Sequence, residues 1–249
     1  MPEPELDVAF LPGELRETEV AVVVDVLRAT STITQALAAG YESVHCAPSI
    51  EAARALRAPG RLLAGEEDCL PVPGFDLGNS PAALARSEAA GKELVLATTN
   101  GTPAIGAAVQ HAEHVLLGCL LHLDALLAAI PAGAAVTVVC SGTDKRFALE
   151  DAYLAGRIVE RLEGAPSDAA RAALCVGRAY AGALEPLRDS ADGRVLLSTD
   201  QEADIEWCAQ ESVLDVVPRV VSDGDGAPVV AAVGDKGQAG HRQKSIGFV

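Results

Sequence analysis

Ala21-Val22-Val23-Val24-Asp25-Val26, running into Leu27-Arg28-Ala29-Thr30-Ser31-Thr32, is the stretch that decides how this chain folds. An unbroken β-branched run of this kind is a strand buried on both faces, and the Ala/Leu-rich segment beyond the polar turn has helical character. Two later stretches repeat the arrangement. Glu93-Leu94-Val95-Leu96-Ala97 ends in Thr98-Thr99-Asn100-Gly101-Thr102-Pro103, and Ala135-Val136-Thr137-Val138-Val139 ends in Cys140-Ser141-Gly142-Thr143-Asp144. Strands that feed helices through turns of donors are how α/β proteins hold anions, because free N–H groups and the helix dipole face the ligand. Three such ends in one chain predict a single composite pocket.

Outward from these stretches the pattern alternates. It predicts strands at 20–26, 43–46, 61–64, 93–97, 113–117 and 134–139, with helices at 31–39, 49–58, 81–90, 103–110 and 120–129. Helical stretches at 147–162 and 167–181 follow, the span 164–211 reads as mainly helical, and strands at 213–221 and 229–233 precede an irregular tail from Gly234 to Val249. The fold expected is α/β, a mainly parallel central sheet flanked by helices with a helical excursion near 164–211. The 249 residues suit one domain, with a C-terminal subdomain from about 164 as the variant reading.

Composition narrows the function. Only 3% of the residues are aromatic, so Ala, Val and Leu must build the core, as in parallel strands under Ala-rich helices. The formal net charge of -16 argues against nucleic acid or an anionic membrane as partner, since both need a cationic surface. An anionic ligand would need a local arginine or a bound cation against that field. The six cysteines are scattered without a CxxC pair and read as reduced thiols. With no membrane-length apolar run and no basic leader, a cytoplasmic protein is expected.

Several residues could carry chemistry. Asp25, near the end of the most apolar strand, is costly to bury unless it meets a metal, a base or donors. Arg28 stands at the turn, where its guanidinium can fork onto phosphate or sulfonate. The plainer reading of the same turn is an N-cap from Thr30 or Ser31 with an Asp25–Arg28 salt bridge. At the second turn Gly101 permits a tight reversal, Thr102 can cap and Pro103 sets the first helical dihedral, which leaves Thr99 and Asn100 as spare donors. An ordinary polar turn is the competing account.

Glu66 opens a Pro/Gly loop, and Glu150-Asp151 opens a helix just past Cys140-Ser141-Gly142. Hard cations such as Mg²⁺ take carboxylate and water oxygens, which makes Asp25, Glu66, Glu150 and Asp151 metal candidates. Acidic residues in a first helical turn are also favoured by the dipole alone. Cys140 stands where a nucleophile could, but Arg146 lies six positions on rather than at the spacing of a cysteine-phosphatase loop, and a buried structural thiol is the preferred reading. His111 with His114, and Cys119 with His122, lack further ligands for zinc. No P-loop is present, and Val26-Leu27 after Asp25 breaks the haloacid-dehalogenase signature.

Taken together, these segments resemble the 2-phosphosulfolactate phosphatase family of coenzyme M biosynthesis. The likeness is carried by Asp25-Val26-Leu27-Arg28-Ala29-Thr30-Ser31-Thr32, Gly65-Glu66, Gly74-Phe75-Asp76-Leu77-Gly78-Asn79-Ser80-Pro81, Thr99-Asn100-Gly101-Thr102, Cys140-Ser141-Gly142 and Glu150-Asp151-Ala152 with Gly156. Asp204-Ile205 and Asp215-Val216-Val217-Pro218 extend it. The resemblance implies a Mg²⁺-dependent phosphatase converting 2-phospho-3-sulfolactate to 3-sulfolactate and phosphate, on a fold of its own and not of the haloacid-dehalogenase type.

On that footing Asp25, Arg28, Cys140 and Asp151 are the catalytic candidates. Arg28, Ser31, Thr32, Asn79, Thr99, Asn100, Gly101, Thr102, Ser141 and Gly142 are the candidates for binding a small anionic phosphate ester. Asp25, Glu66, Glu150 and Asp151 are the candidates for Mg²⁺. Water attack and phosphorylation of Asp25 both stay open. So do another phosphorylated 2-hydroxy acid as substrate, and a non-catalytic anion-binding or regulatory protein of the same fold. A homodimer is the default expectation for an enzyme of this size.

Overall fold

A computed structural model describes residues 3–67, 69–87, 89, 91–224 and 226–232. Through these residues the chain forms β1 (Glu5–Ala9), β2 (Thr18–Val24), α1 (Ala29–Ala38), β3 (Val44–Ala47), α2 (Ile50–Ala55), β4 (Arg61–Glu67) and β5 (Leu70–Pro71). Next come α3 (Pro81–Leu84), β6 (Glu93–Ala97), α4 (Gly101–His111), β7 (Ala112–Gly118), α5 (Leu123–Ala129), β8 (Val136–Cys140) and α6 (Leu149–Val159). β9 (Ala165–Pro166) leads into α7 (Asp168–Ala179), α8 (Leu184–Asp189), α9 (Ala191–Ser198) and α10 (Glu202–Cys208). β10 (Pro218–Gly224) and β11 (Ala227–Ala232) follow.

The strands form one sheet in the order β5-β4-β6-β3-β11-β10-β7-β2-β8-β1-β9. β4, β6 and β3 make one parallel block, and β7, β2, β8, β1 and β9 make another. Between them sits the β10–β11 hairpin, antiparallel at each of its three joins. Three reversals leave the two blocks pointing opposite ways along the sheet. Twist offsets this. At about 20–25° per neighbour, the five steps from β6 to β2 rotate the strand axes by roughly 100–125°, which swings the two sets of strand tips toward each other.

The packing agrees. A single buried cluster joins Ala21 and Val23 of β2, Val44 and Cys46 of β3, and Leu94 and Leu96 of β6 to Ile33 of α1 and Ile105 of α4. Both blocks therefore wrap the same helix pair. The alternate residues Val20, Val22 and Val24 face a second core with Leu126, Tyr153, Ala173, Leu187 and Ile205. Period-two alternation with both faces buried is why β2 reads as one apolar run.

The α/β architecture with a mainly parallel sheet holds, and the helical excursion is α7 to α10. β1, β5 and β9 were not anticipated, because each is a short segment of mixed or exposed burial, and two expectations need correction. The helix expected at 81–90 is the single turn α3. The strand expected at 213–221 begins only at Pro218. Val233 and the tail from Gly234 lie outside the described residues. Among those described, no helix is long and apolar enough to cross a membrane.

Candidate active site

Asp25 follows the last residue of β2 and takes over the start of α1. Its Oδ1 accepts from the Ala29 N–H at 2.9 Å, and its carbonyl accepts from the Thr30 N–H at 3.1 Å. The first donors of α1 are thus spent on Asp25 itself and not on a ligand. The hydroxyls beside it turn inward too, because a buried O–H must find a local acceptor. Ser31 Oγ donates to Val26 O at 2.8 Å, and Thr32 Oγ1 lies 3.4 Å from Asn79 O. Ser31 and Thr32, expected as ligand donors, instead fasten the turn.

The second turn is similarly self-satisfied. The Thr102 N–H donates to Thr98 Oγ1 at 3.0 Å, and the Thr98 N–H donates to Thr102 Oγ1 at 3.2 Å. Thr102 is therefore a capping residue. The Thr99 N–H goes to Glu66 Oε1 at 2.8 Å, tying β6 to β4. Gly101 is needed for close approach and not for a left-handed turn: a Cβ there would lie 2.5 Å from Asp25 Oδ2 and 2.3 Å from Ala29 Cβ.

Around Asp25 the strand tips enclose a cleft of about 220 Å³. Of the residues anticipated from sequence, Asp25, Arg28, Glu66, Asn79, Thr99 and Asn100 line it. Thr143 and Asp144 of the third turn also line it, as do Cys69 and Asp192, which were not anticipated. Asp192 is delivered by α9, a helix whose sequence carries no motif.

Arg28 is only 3% exposed and does not pair with Asp25. Its Nη1 donates to Asp204 Oδ2 and to Gln201 Oε1, each at 2.6 Å, and its Nη2 donates to Cys69 O at 3.2 Å. The other Asp204 oxygen accepts from Ser80 Oγ at 2.6 Å and from the Ala82 N–H at 3.3 Å. The Asp25–Arg28 salt bridge of the plainer reading is absent, and Arg28 instead forms a pair that anchors the helical excursion to the β2 turn.

Asp151 lies directly behind the cleft. Its Oδ1 accepts from the Val26 N–H at 2.9 Å, and its Oδ2 accepts from Ser141 Oγ and the Gly142 N–H, both at 3.1 Å. Ser141 and Gly142 thus hold Asp151 and do not line the cleft. The left-handed φ of 68° at Gly142 suits glycine, and a Cβ there would sit 2.5 Å from Arg146 O.

Crowded acids shape the electrostatics. Burial, then the carboxylates of Asp151, Asp192 and Glu66, holds Asp25 well above the ordinary range. Burial lifts Asp151 to about 7 despite its three donors, and lifts Asp192 to about 6 despite Thr143. Glu150 is raised by burial and by Asp151, and its Oε2 has no hydrogen-bond partner. Cys140 is corrected: its fully buried thiol packs in the β2–β8 core, and burial, Asp151 and Glu150 push it far from thiolate formation.

The expected four-carboxylate metal set is divided. Asp25 and Glu66 line the cleft, whereas Glu150 and Asp151 are behind it. Among the described residues no three His, Cys, Asp or Glu side chains form a ready cage. Asn79 also lines the cleft, and its buried Oδ1, a further hard oxygen, has no hydrogen-bond partner. One or two carboxylates plus an amide oxygen suit a cation that keeps waters and shares the substrate's phosphate.

A family model described as 2-phosphosulpholactate phosphatase matches residues 9–223, a span containing every cleft residue named above. A "Probable 2-phosphosulfolactate phosphatase" of Thermus thermophilus is 43% identical over 220 residues, 86% of this chain and 93% of the relative. The protein of the same name from Deinococcus radiodurans is 40% identical over 221 residues, covering 86% and 92% of the two chains. One from Thermotoga petrophila is 37% identical over 219 residues, 87% and 96%. The class is therefore that of the phosphoric monoester hydrolases. Within it, the chain belongs to the 2-phosphosulfolactate phosphatase family.

Proposed function

We propose that this chain is a Mg²⁺-assisted phosphatase that releases phosphate from 2-phospho-3-sulfolactate, or from a related phosphorylated 2-hydroxy acid, leaving 3-sulfolactate or its counterpart. One observation carries the reading. Asp25, Glu66, Asp144 and Asp192 line the cleft against what is, among the described residues, a single guanidinium, already paired with Asp204. A multiply anionic ester is repelled from such a space wherever these carboxylates are ionised, and a hard cation is what offsets them.

Asp25, Glu66 and Asn79 are the side chains suited to hold that cation. A Mg²⁺ held there would supply neutralisation of phosphoryl charge and Lewis acidity toward water. The chain's own residues do the rest. Asp25, fixed by the Ala29 N–H, stands at the base of the cleft to orient the attacking water. Water attack is preferred to phosphorylation of the carboxylate, because the Ala29 N–H already holds one Asp25 oxygen. Arg28 uses three of the five donors of a guanidinium on Asp204, Gln201 and Cys69, and the rest can meet a phosphoryl oxygen.

The test is phosphate release from a panel of phosphorylated 2-hydroxy acids, with Mg²⁺ and with excess EDTA. Turnover abolished by chelation and restored by Mg²⁺ is expected. Unaltered turnover in EDTA removes the metal, and release from no ester removes the phosphatase reading for this chain.

A further inference from the structure

Beside the catalytic cleft lies a second, larger cavity of about 640 Å³ that shares Thr99, Asn100 and Asp144 with it. Leu11, Pro12, Pro103 and Ala104 make its walls apolar, and one cation, Lys145, stands on its lining. The two spaces therefore adjoin along three shared residues, and among the described residues each is lined by a single basic side chain.

The two cations are not equivalent. Arg28 is buried against Asp204, whereas Lys145 is exposed and, among the described residues, has no carboxylate partner. Lys145 is also held in an unusual backbone. Thr143 and Arg146 exchange both main-chain hydrogen bonds, at 3.0 and 2.9 Å, so Asp144 and Lys145 are the two central residues of a tight hairpin turn. Their φ angles of 50° and 60° are left-handed, a conformation that Asn or Gly adopts readily and Lys does not. The cleft itself holds the turn there: Thr143 Oγ1 donates to Asp192 Oδ2 at 2.9 Å, and the Asp144 N–H donates to Asn100 Oδ1 at 3.3 Å. An outlying backbone fixed from both sides and carrying an uncommitted charge points to a functional constraint.

We propose that Lys145 is a specificity-determining residue, which receives a second anionic group, a carboxylate or sulfonate, of an ester whose phosphoryl group occupies the cleft. The inference rests on the phosphatase reading and adds where the remainder of the substrate lies. The apolar walls take the carbon skeleton, and Lys145 meets the charge that would otherwise face Asp144 and Asp192 unpaired.

Steady-state kinetics of the wild type, Lys145→Gln, Lys145→Arg and Lys145→Gly test it, on a phosphorylated 2-hydroxy acid and on isopropyl phosphate, which lacks a second anion. Melting curves verify that each variant is folded. Lys145→Gln is expected to lower the preference in kcat/KM for the charged ester by about tenfold or more, mainly through KM. Lys145→Arg restores the preference, and Lys145→Gly loses it even though glycine relaxes the turn. Equal losses on both esters, or an unaltered preference in Lys145→Gln, overturn the inference. A folded wild type that hydrolyses neither ester overturns the phosphatase reading and takes this inference with it.

Discussion

Arg28 and Asp204 stand 176 residues apart in the chain, yet their side chains meet at 2.6 Å with exposures of only 3% and 5%. Through Ser80 and the Ala82 N–H, Asp204 also reaches the start of α3, so one carboxylate ties three segments together beside the cleft. Removing one partner of a buried pair strands the other. Asp204→Ala should therefore cost about 3–5 kcal/mol in urea unfolding and lower kcat/KM, with Asp204→Asn milder in both. Wild-type stability in Asp204→Ala would show that the pair holds nothing together.

Gly101→Ala should act on chemistry through a single methyl group. The added Cβ would sit 2.5 Å from Asp25 Oδ2, so either Asp25 or the start of α4 must give way. A displacement near 1 Å at a reacting group costs on the order of 10²-fold in rate, and kcat should fall by about that much. Full activity in this variant would mean that Asp25 does not need its observed position.

Cys140→Ala should keep kcat within about twofold of wild type while costing about 1 kcal/mol of stability, the ordinary scale for trimming a core side chain. The thiol lies within the packed core between β2 and α6, away from the cleft. A large loss of turnover with normal melting would restore Cys140 as a reacting group.

Stability of the metal-free protein should fall as pH rises. Asp192 and Asp151 hold their protons to about 6 and about 7 in the folded chain, whereas an unfolded aspartate releases its proton near 4. The unfolded state thus binds fewer protons between these values, and the stabilisation present below about pH 4 is lost by about pH 7. Melting temperatures in EDTA should decline across this window, and Asp192→Asn should flatten the decline and melt higher at pH 8. A flat profile in the wild type would contradict the acid crowding.

The parts of the site written in local sequence were legible. The three apolar runs are β2, β6 and β8, and Asp25, Glu66 and Asn100 come together at their tips and that of β4. Residue types alone could not say which donors face outward. Ser31, Thr32 and Thr102 have suitable hydroxyls, but buried backbone claims all three. Asp192 and Gln201 lie in and beside short helices that carry no motif, and Asp204, quoted only for a resemblance, gave no sign of its pairing with Arg28; packing and not spacing sets their place. Strand direction is likewise absent from a hydrophobic pattern, so the reversal at β10–β11 was invisible although both strands were anticipated.

That hairpin has a consequence for the order in which the protein is built. Its strands are the main-chain link between the two parallel blocks, and they come from residues 218–232, long after the blocks themselves have left the ribosome. Until they emerge, β3 and β7 each present an unzipped edge, and edges of that kind recruit neighbouring chains. Yield during synthesis should accordingly depend on how quickly this late segment arrives to bridge the halves.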